Sequence, residues 1–392
     1  MNKLSKSTPA SIKIMNRELI INKLKNKPKQ SRANLSQSTG LSKPTVSSIV
    51  KELIKEGLIF EVGEGTSTGG KRPVNLVYNP DYNYVVGIAI ENNIMYFSLG
   101  NMNGELISIF SKKIENPEKS ELVLSVIIDG IFELLKNTKV DEEKIIGIVI
   151  GVPGIKQDSD NLIRSSPTIH WGGINLKKEI KEKLGKEVII ENDVNLMTIG
   201  EHYKGQAKNI NDFVYLFIGN GIGSGIFLNG KFIKGFHSAA GEIGYMMIGD
   251  KENLKQNTGV FEKNYGLLGV IEKLKKLNIQ LNYKDSDSLL EILQKNKKNK
   301  MVKEILDDTI THWAEATINI ISVIDPETVI LSGELLNMEK NSLNSFKEFV
   351  YNHAPQGTKL KKAKLGFQAG IYGAFHLGLD YFHKEGFQNS KQ

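Results

Sequence analysis

The sequence predicts a small helical unit with a β-hairpin, followed by a larger mixed α/β body. Three observations predict it. Residues 31–50, SRANLSQSTGLSKPTVSSIV, read as two short helices about a tight turn; Asn79-Pro80-Asp81 breaks the chain, after which strand-like runs alternate with helices; and the positive charge lies wholly before that break. At 392 residues the chain is too long for one compact core, so two or three domains are expected.

The first unit opens with apolar residues at Ile12, Ile14, Met15, Leu19, Ile20, Ile21 and Leu24, an amphipathic helix that would brace the next two. A polar helix from Ser31 to Ser38 ends at Thr39-Gly40, where glycine permits the left-handed turn. Ser42 stands at an N-cap position and Pro44 falls in the first turn, where its missing N–H costs nothing. The helix that follows buries Val46, Ile49, Val50, Leu53 and Ile54, and leaves Lys43, Thr45, Ser47, Ser48 and Lys51 largely off that face. Small hydroxyls and ammonium groups at the start of a second helix suit phosphate and base-edge contact in a major groove. Leu58–Val62 and Val74–Tyr78 alternate as two strands around GEGTSTGGKRP, a loop ending in Lys71-Arg72-Pro73. A hairpin with a basic tip is expected to complete a winged helix-turn-helix, its wing suited to a neighbouring minor groove, the alternative being a mobile surface loop.

After the break, Tyr84–Ile90, Ile94–Leu99 and Glu105–Phe110 read as consecutive strands. A long helix follows (Ser120 to Leu135), then a buried strand (Ile145 to Ile150), a Gly-Pro-Gly turn at Gly151–Gly154 and another strand (Glu187 to Glu191). The pattern recurs through Phe213–Leu228 and Thr328–Leu331, as expected of mixed sheets in two lobes around a cleft. The Lys- and Asn-rich stretch Gln294–Lys300 reads as a solvated helix end or loop. No internal repeat is evident.

The charge narrows the class. Residues 1–80 hold 14 of the 51 Lys/Arg and 5 of the 44 Asp/Glu, which leaves +9 there and −2 in the rest. A polyphosphate partner for the first unit would require that asymmetry. There is no cysteine, so disulfides and cysteine-held metals are excluded. No apolar run approaches the roughly 18 residues of a membrane span, and Met1–Ile12 is polar, so the expected compartment is the cytoplasm.

Candidate chemistry gathers in the body. Gly219, Gly221, Gly223 and Gly225 alternate between two apolar strands, either as a cradle for phosphate or sugar or as an ordinary hairpin. Glu191-Asn192-Asp193-Val194-Asn195 ends a buried strand with polar groups suited to sugar hydroxyls, or caps a helix starting near Asn195. Glu242 in AGEIGY and Glu262 in GVFE add carboxylates.

In order along the chain, SRANLSQSTGLSKPTVSSIV, STGGKRP, GVPG, ENDVN, GNGIGSGIFLNGKFIKGFHSAAGEIGY, DPETVILSGE and AGIYGAF resemble the ROK family of repressors, open reading frames and sugar kinases. The resemblance runs from about residue 12 to residue 382 and is closest to the repressors of the xylose-repressor type. It implies an actin-like, two-lobed sugar kinase fold joined to the winged helix. The implied domains are residues 1–80, a first lobe of 81–195 with about 371–388, and a second lobe of 196–370. By the same resemblance Asn192 and Asp193 match the sugar-binding pair, the Asp being the general base in the kinases. Glu242 and Glu262 match further sugar contacts, and Gly151–Gly154 with Ser166 and Thr168 match loops over the sugar. The family usually has Asn where Thr168 stands.

Departures from the family pattern carry further expectations. Its kinases open with Asp-x-Gly-Gly-Thr for ATP phosphates and Mg²⁺; here the stretch is Ala89-Ile90-Glu91-Asn92-Asn93. Glu91 would repel a triphosphate, by roughly 4 kcal/mol for unit charges about 4 Å apart at an effective dielectric of 20. Phosphoryl transfer rests on positioning and charge neutralisation, so no kinase activity, no catalytic residue and no cofactor are expected. Leu331-Ser332-Gly333-Glu334 also departs from the family's adenosine loop. The family's zinc-ligand His is Tyr245, so no metal is expected, and Tyr245 is placed on the sugar pocket.

The expected function is a sugar-responsive repressor of a carbohydrate operon, for which the resemblance implies xylose or a similar aldose. Its partners are double-stranded operator DNA, a sugar effector, and a second copy in a homodimer or a tetramer. The expected DNA contacts are Arg32, Ser42, Lys43, Thr45, Ser47, Ser48, Lys51, Lys71 and Arg72. Two alternatives are an active sugar kinase with an accessory DNA-binding arm, and a DNA-binding protein whose body only dimerises. The glycine run leaves phosphorylated sugars open as effectors.

Overall fold

The structure is a computed structural model that describes residues 9–64, 74–156, 162–164, 166, 168–251, 259–281 and 288–389. The chain divides into two compact units. One comprises Met1–Tyr84, Asn101–Glu105 and Tyr381–Gln392; the other comprises Val85–Gly100 and Leu106–Asp380.

The first unit holds α1 (Pro9–Asn26), β1 (Gln30–Ser31), α2 (Arg32–Thr39), α3 (Lys43–Lys55), β2 (Ile59–Glu64) and β3 (Val74–Tyr78). Ser31 caps α2 by accepting from Asn34 N, and Gly40 closes it at φ 73°, the left-handed conformation that glycine adopts without strain. Ser42 caps α3 by accepting from Thr45 N, with Pro44 in the first turn. Leu35, Val46, Ile49, Val50 and Leu53 are buried, as are Ile20, Ile21 and Leu24 of α1, and the three helices contact one another. Lys13 and Arg17 of α1 pair with Glu52 and Glu56 of α3, fixing how the two helices cross. The strands form an antiparallel sheet in the order β1-β3-β2. Helix-turn-helix and hairpin strands thus follow the sequence reading, with α2 displaced by one residue because Ser31 serves as its cap.

The second unit contains β4 (Tyr84–Glu91), β5 (Ile94–Asn101), β6 (Leu106–Lys113), α4 (Ser120–Thr138), β7 (Ile145–Val152), the short pair β8 (Ile155–Lys156) and β9 (Ile163–Arg164), α5 (Leu176–Leu184), β10 (Val188–Asn192) and α6 (Asp193–Lys204). It continues with β11 (Phe213–Ile218), β12 (Ile222–Leu228), β13 (Lys231–Phe232), α7 (Val260–Tyr265), α8 (Leu267–Lys276), α9 (Leu289–Lys295), α10 (Lys300–Ile324), β14 (Thr328–Gly333), α11 (Lys340–His353), β15 (Lys359–Lys362) and α12 (Gln368–Asn389). Two five-stranded sheets result, β10-β7-β4-β5-β6 and β13-β12-β11-β14-β15. Numbered within each sheet by chain order, the first reads 5-4-1-2-3 and the second 3-2-1-4-5, the same order seen from its other edge. The two halves therefore share one topology although their sequences show no repeat. In each, a hairpin extends one side of the first strand and parallel strands extend the other.

Three expectations change. The turn placed at Gly151–Gly154 begins later, since β7 continues through Val152 and pairs Gly151 with Glu191. The helix expected near Asn195 begins at Asp193, capped by Asn192. Gln294, read as solvated, is only 7% exposed. It donates to Asn337 O and accepts from Glu339 N, so a polar residue at a helix end is buried by partners more than forty residues away.

Candidate functional site: a carboxylate-lined cavity

A cavity of about 690 Å³ lies within the second unit, between the ends of β4, β10, β11, β12 and β14. Ser166, Thr168, Asn192, Asp193, Glu242, Tyr245 and Glu262, drawn from segments far apart in sequence, all line it. Strands ending on a common side deliver side chains there, and helices starting at those ends orient them.

Asn192 is committed on both ends of its amide. Its Oδ1 accepts from Asn195 N at 3.1 Å and so caps α6, while its Nδ2 donates to Gly154 O at 3.1 Å and holds the β7 loop. Capping and cavity lining, which the sequence posed as alternatives, are one arrangement. Asp193 opens α6 with Oδ1 accepting from its neighbour's amide, Val194 N, at 2.9 Å. Glu242 follows Gly241, whose φ of 91° and carbonyl, accepting from Ser224 N at 2.9 Å, tie the loop to β12. Glu262 sits in the first turn of α7 and accepts from Ile222 N at 2.8 Å.

Desolvation dominates the electrostatics. Burial pushes Asp193 up to about 7, and burial with repulsion from Glu262 pushes Glu242 up to about 7. Burial also raises Glu91 and Glu262, the latter against the opposing pull of Ile222 N. Raised carboxyls stay protonated in the folded chain at pH values where the unfolded chain has released them. Their stabilising contribution is therefore complete below about pH 4 and is lost as pH rises through about 7. His376, held neutral down to about 4 by burial, acts with the opposite sign and only below the ordinary histidine range near 6.5. Between pH 6.5 and 8 the carboxylates act alone of these three. The melting temperature of the ligand-free protein is expected to fall by a few degrees across that window, and Asp193→Asn with Glu242→Gln should flatten it. A wild-type curve that rises across the window would contradict the desolvated cluster.

The glycine run is not the cradle suggested by its spacing. Only Gly219–Gly221 forms the turn. Gly223 and Gly225 lie in β12, where added Cβ atoms would come within 3.2 Å of Val194 and 2.0 Å of Thr198 on α6. They are small so that strand and helix can touch. In the turn, Gly219 N donates to Gly221 O, and Ile222 N is taken by the Glu262 carboxylate.

Several residues take part in ways the sequence did not indicate. Glu334, on the cavity wall, accepts from Ser288 Oγ at 2.7 Å and Leu290 N at 2.9 Å. Tyr215, also on the wall, shares a hydroxyl pair with Ser332 at 2.5 Å. Asn220 donates to Asn92 Oδ1 at 3.1 Å, joining the turns of the two sheets. Lys234 reaches Glu191 at 2.8 Å. No local signal marks these pairings, because each joins partners distant in sequence.

On the first unit, Ser42, Lys43, Ser47, Ser48 and Lys51 are exposed along α3 and Thr45 is half-buried. The Ser42 and Thr45 hydroxyls lie 2.8 Å apart, so part of their hydrogen-bonding capacity is spent on the cap. Arg32 donates to Glu61 at 2.8 Å, so its charge is partly met within the unit. Lys71 and Arg72 lie outside the described residues. Among the described residues no cluster of His, Asp and Glu could hold a metal ion, and no helix is long and apolar enough to cross a membrane.

Comparison with known proteins agrees with this architecture. Residues 16–59 match the family described as winged helix-turn-helix DNA-binding. The xylose repressor of Bacillus subtilis (strain 168) is 32% identical over 379 residues, spanning 95% of this chain and 96% of that protein. The crystal structure of a ROK family transcriptional regulator, a homologue of the Escherichia coli MLC protein, superposes with a TM-score of 0.74 at 19% identity, over 96% of this chain and 98% of that one. A ROK family glucokinase from Streptomyces griseus, solved with glucose and AMPPNP, superposes with a TM-score of 0.61 at 18% identity, over 75% of this chain and 99% of that one. Residues 86–380 match the ROK family itself, and the chain belongs to that family.

Proposed function

We propose that this chain is a sugar-responsive repressor: the winged helix-turn-helix binds operator DNA, and an aldose such as xylose, taken up by the body, changes that binding. The observation that carries this reading is the pairing, on one chain, of an exposed Lys- and Ser-bearing α3 with a desolvated, carboxylate-lined cavity. Similarity to a protein named xylose repressor over 95% of the chain supports it. In this reading Asp193, Glu242 and Glu262 accept hydrogen bonds from sugar hydroxyls, Asn192 donates its remaining N–H, and Ser166, Thr168 and Tyr245 line the ring. The chain acts as a homodimer in the cytoplasm, with two α3 helices in major grooves one helical turn or a multiple apart.

In this reading the body does not hold ATP. β4 passes to β5 through Asn92 and Asn93, with Asn92 at φ 53°, and Glu91 on the cavity wall. Carboxylates of Glu91, Asp193, Glu242, Glu262, Glu272 and Glu334 face the cavity, against Lys263 as the one cation among its described lining residues. This favours an unphosphorylated effector: above about pH 7, where Asp193 and Glu242 release their protons, a sugar phosphate would meet net negative charge and a turn whose Ile222 amide is already taken. The kinase alternative predicts turnover of roughly 1–100 per second with ATP and an aldose; no turnover above background is expected. A body that only dimerises predicts no thermal shift with sugars, whereas an aldose at a hundred times its Kd should add about 2.7 kcal/mol of stability.

The DNA surface has its own test. Replacing Lys71 and Arg72 together by alanine should weaken binding to every duplex and lower the slope of log K against log salt by about 1 for each phosphate no longer neutralised. Replacing Ser47 should instead change the ranking of operator variants. An unchanged salt slope removes the wing from the interface, and a uniform loss on changing Ser47 makes it a backbone contact.

A further inference from the structure

Two side chains that do not line the cavity connect the loops that do. Glu191, at the end of β10, has a side chain only 10% exposed and spends both oxygens. Its Oε1 accepts from Asn192 N at 3.0 Å and Asn195 Nδ2 at 2.9 Å, which shapes the turn that presents Asn192 and Asp193. Its Oε2 accepts from Lys234 Nζ at 2.8 Å. Lys234 follows β13 of the other sheet, where Ile233 N still donates to Ile226 O, and its own carbonyl accepts from Ala240 N at 3.1 Å. That last bond closes the loop leading directly to Gly241 and Glu242.

We infer that Lys234 is a positioning residue: its ion pair with Glu191 ties the loop carrying Glu242 in one sheet to the turn carrying Asp193 in the other, and so sets the geometry and affinity of the effector site. The inference rests on the sugar-binding reading for its functional consequence, but the physical link stands apart from it. Without Lys234 the largely buried Glu191 carboxylate keeps its N–H donors but loses the one cation paired with it, and this ion pair joins the two ligand-bearing loops directly, beside the packing of β12 on α6. Lys234 is half exposed, so its replacement removes charge without opening a void.

The test uses the full chain and the variants Lys234→Met, Lys234→Arg, Glu191→Gln and the Met/Gln double variant. Hydrogen exchange without ligand is read first. In Lys234→Met, residues 188–196 and 233–245 should exchange together at least tenfold faster, with α3 and α10 unchanged, and Lys234→Arg should restore protection. The double variant should be no worse than the more affected single variant, as expected of residues acting as a pair. D-xylose and D-glucose are then titrated, and the affinity of whichever binds wild type should fall about tenfold in Lys234→Met and recover in Lys234→Arg. Faster exchange confined to residues 233–236, or additive effects in the double variant, would overturn the link. An aldose affinity unmoved by Lys234→Met would overturn its role in the site. If wild type takes up neither aldose, the assignment of an aldose such as these to the site fails, and the exchange data alone decide the link.

Discussion

Asp193→Ala is expected to leave operator affinity in the absence of sugar within about twofold of wild type and to weaken aldose uptake about a hundredfold. The size follows from losing hydrogen bonds to a charged group, about 1.5–3 kcal/mol each, where about 2.7 kcal/mol is a hundredfold in Kd. The specificity follows from position. Asp193 is the first residue of α6, but the cap is Asn192, so the helix keeps its N-terminal bond from Asn195 when Asp193 is truncated. The carboxyl is also costly in the ligand-free state, pushed up to about 7 by burial, so removing it should not destabilise the apo protein above that pH. Isothermal titration with D-xylose, beside fluorescence anisotropy of an operator duplex, separates the two effects. An Asp193→Ala protein that still releases DNA at wild-type sugar concentrations would remove Asp193 from the effector site.

Gly373→Ala is expected to be strongly destabilising for a change of a single methyl group. A Cβ at Gly373 of α12 would stand 1.8 Å from the carbonyl oxygen of Leu196 in α6, and one at Gly200 of α6 would stand 1.9 Å from that of Ala369 in α12. The two helices touch backbone to backbone, and backbone cannot rotate aside as a side chain does. Overpacking of this kind costs at least the usual 1–3 kcal/mol, against a gain of about 1 kcal/mol in helix propensity on replacing glycine by alanine. At the upper end of that cost the net loss is about 2 kcal/mol, so a fall of about 4–8 °C in melting temperature is expected for Gly373→Ala and for Gly200→Ala, each kcal/mol shifting a domain of this size by about 2–4 °C. A neutral or stabilising Gly373→Ala, measured by thermal melts, would mean that helix propensity outweighs the steric clash and that the helices are not so closely apposed.

What the sequence made legible was local. Gly40, Ser42 and Pro44 announced the ends of α2 and α3 because caps and turns are decided by neighbouring residues, and Val74–Tyr78 was read at its observed bounds because alternation suffices for a hairpin strand. The residues around the cavity were found largely through family motifs; their physical roles needed the fold. Gly223 and Gly225 carried a regular spacing that suggested a loop, yet their smallness answers to Val194 and Thr198 on a helix more than twenty residues upstream. Gln294 stood in a run of Lys and Asn and looked solvated until Asn337 and Glu339 were brought beside it. Glu191 read as one of the strand-end polar groups suited to sugar hydroxyls and Lys234 as an ordinary lysine, but the two sheets bring them to 2.8 Å and Glu191 does not line the cavity. The shared strand order of the two sheets left no trace in the sequence because topology is kept by pattern, not by residue identity.

The most direct measurement is anisotropy of a labelled duplex from the chain's own upstream region, titrated with the full-length protein with and without D-xylose, D-glucose, N-acetylglucosamine and their phosphates. The account predicts binding at least a thousandfold tighter than to random duplex, altered five- to 150-fold by at least one unphosphorylated sugar and unaffected by ATP with magnesium. Equal affinity for every duplex, or an affinity that no sugar alters while ATP and an aldose are turned over, would contradict it.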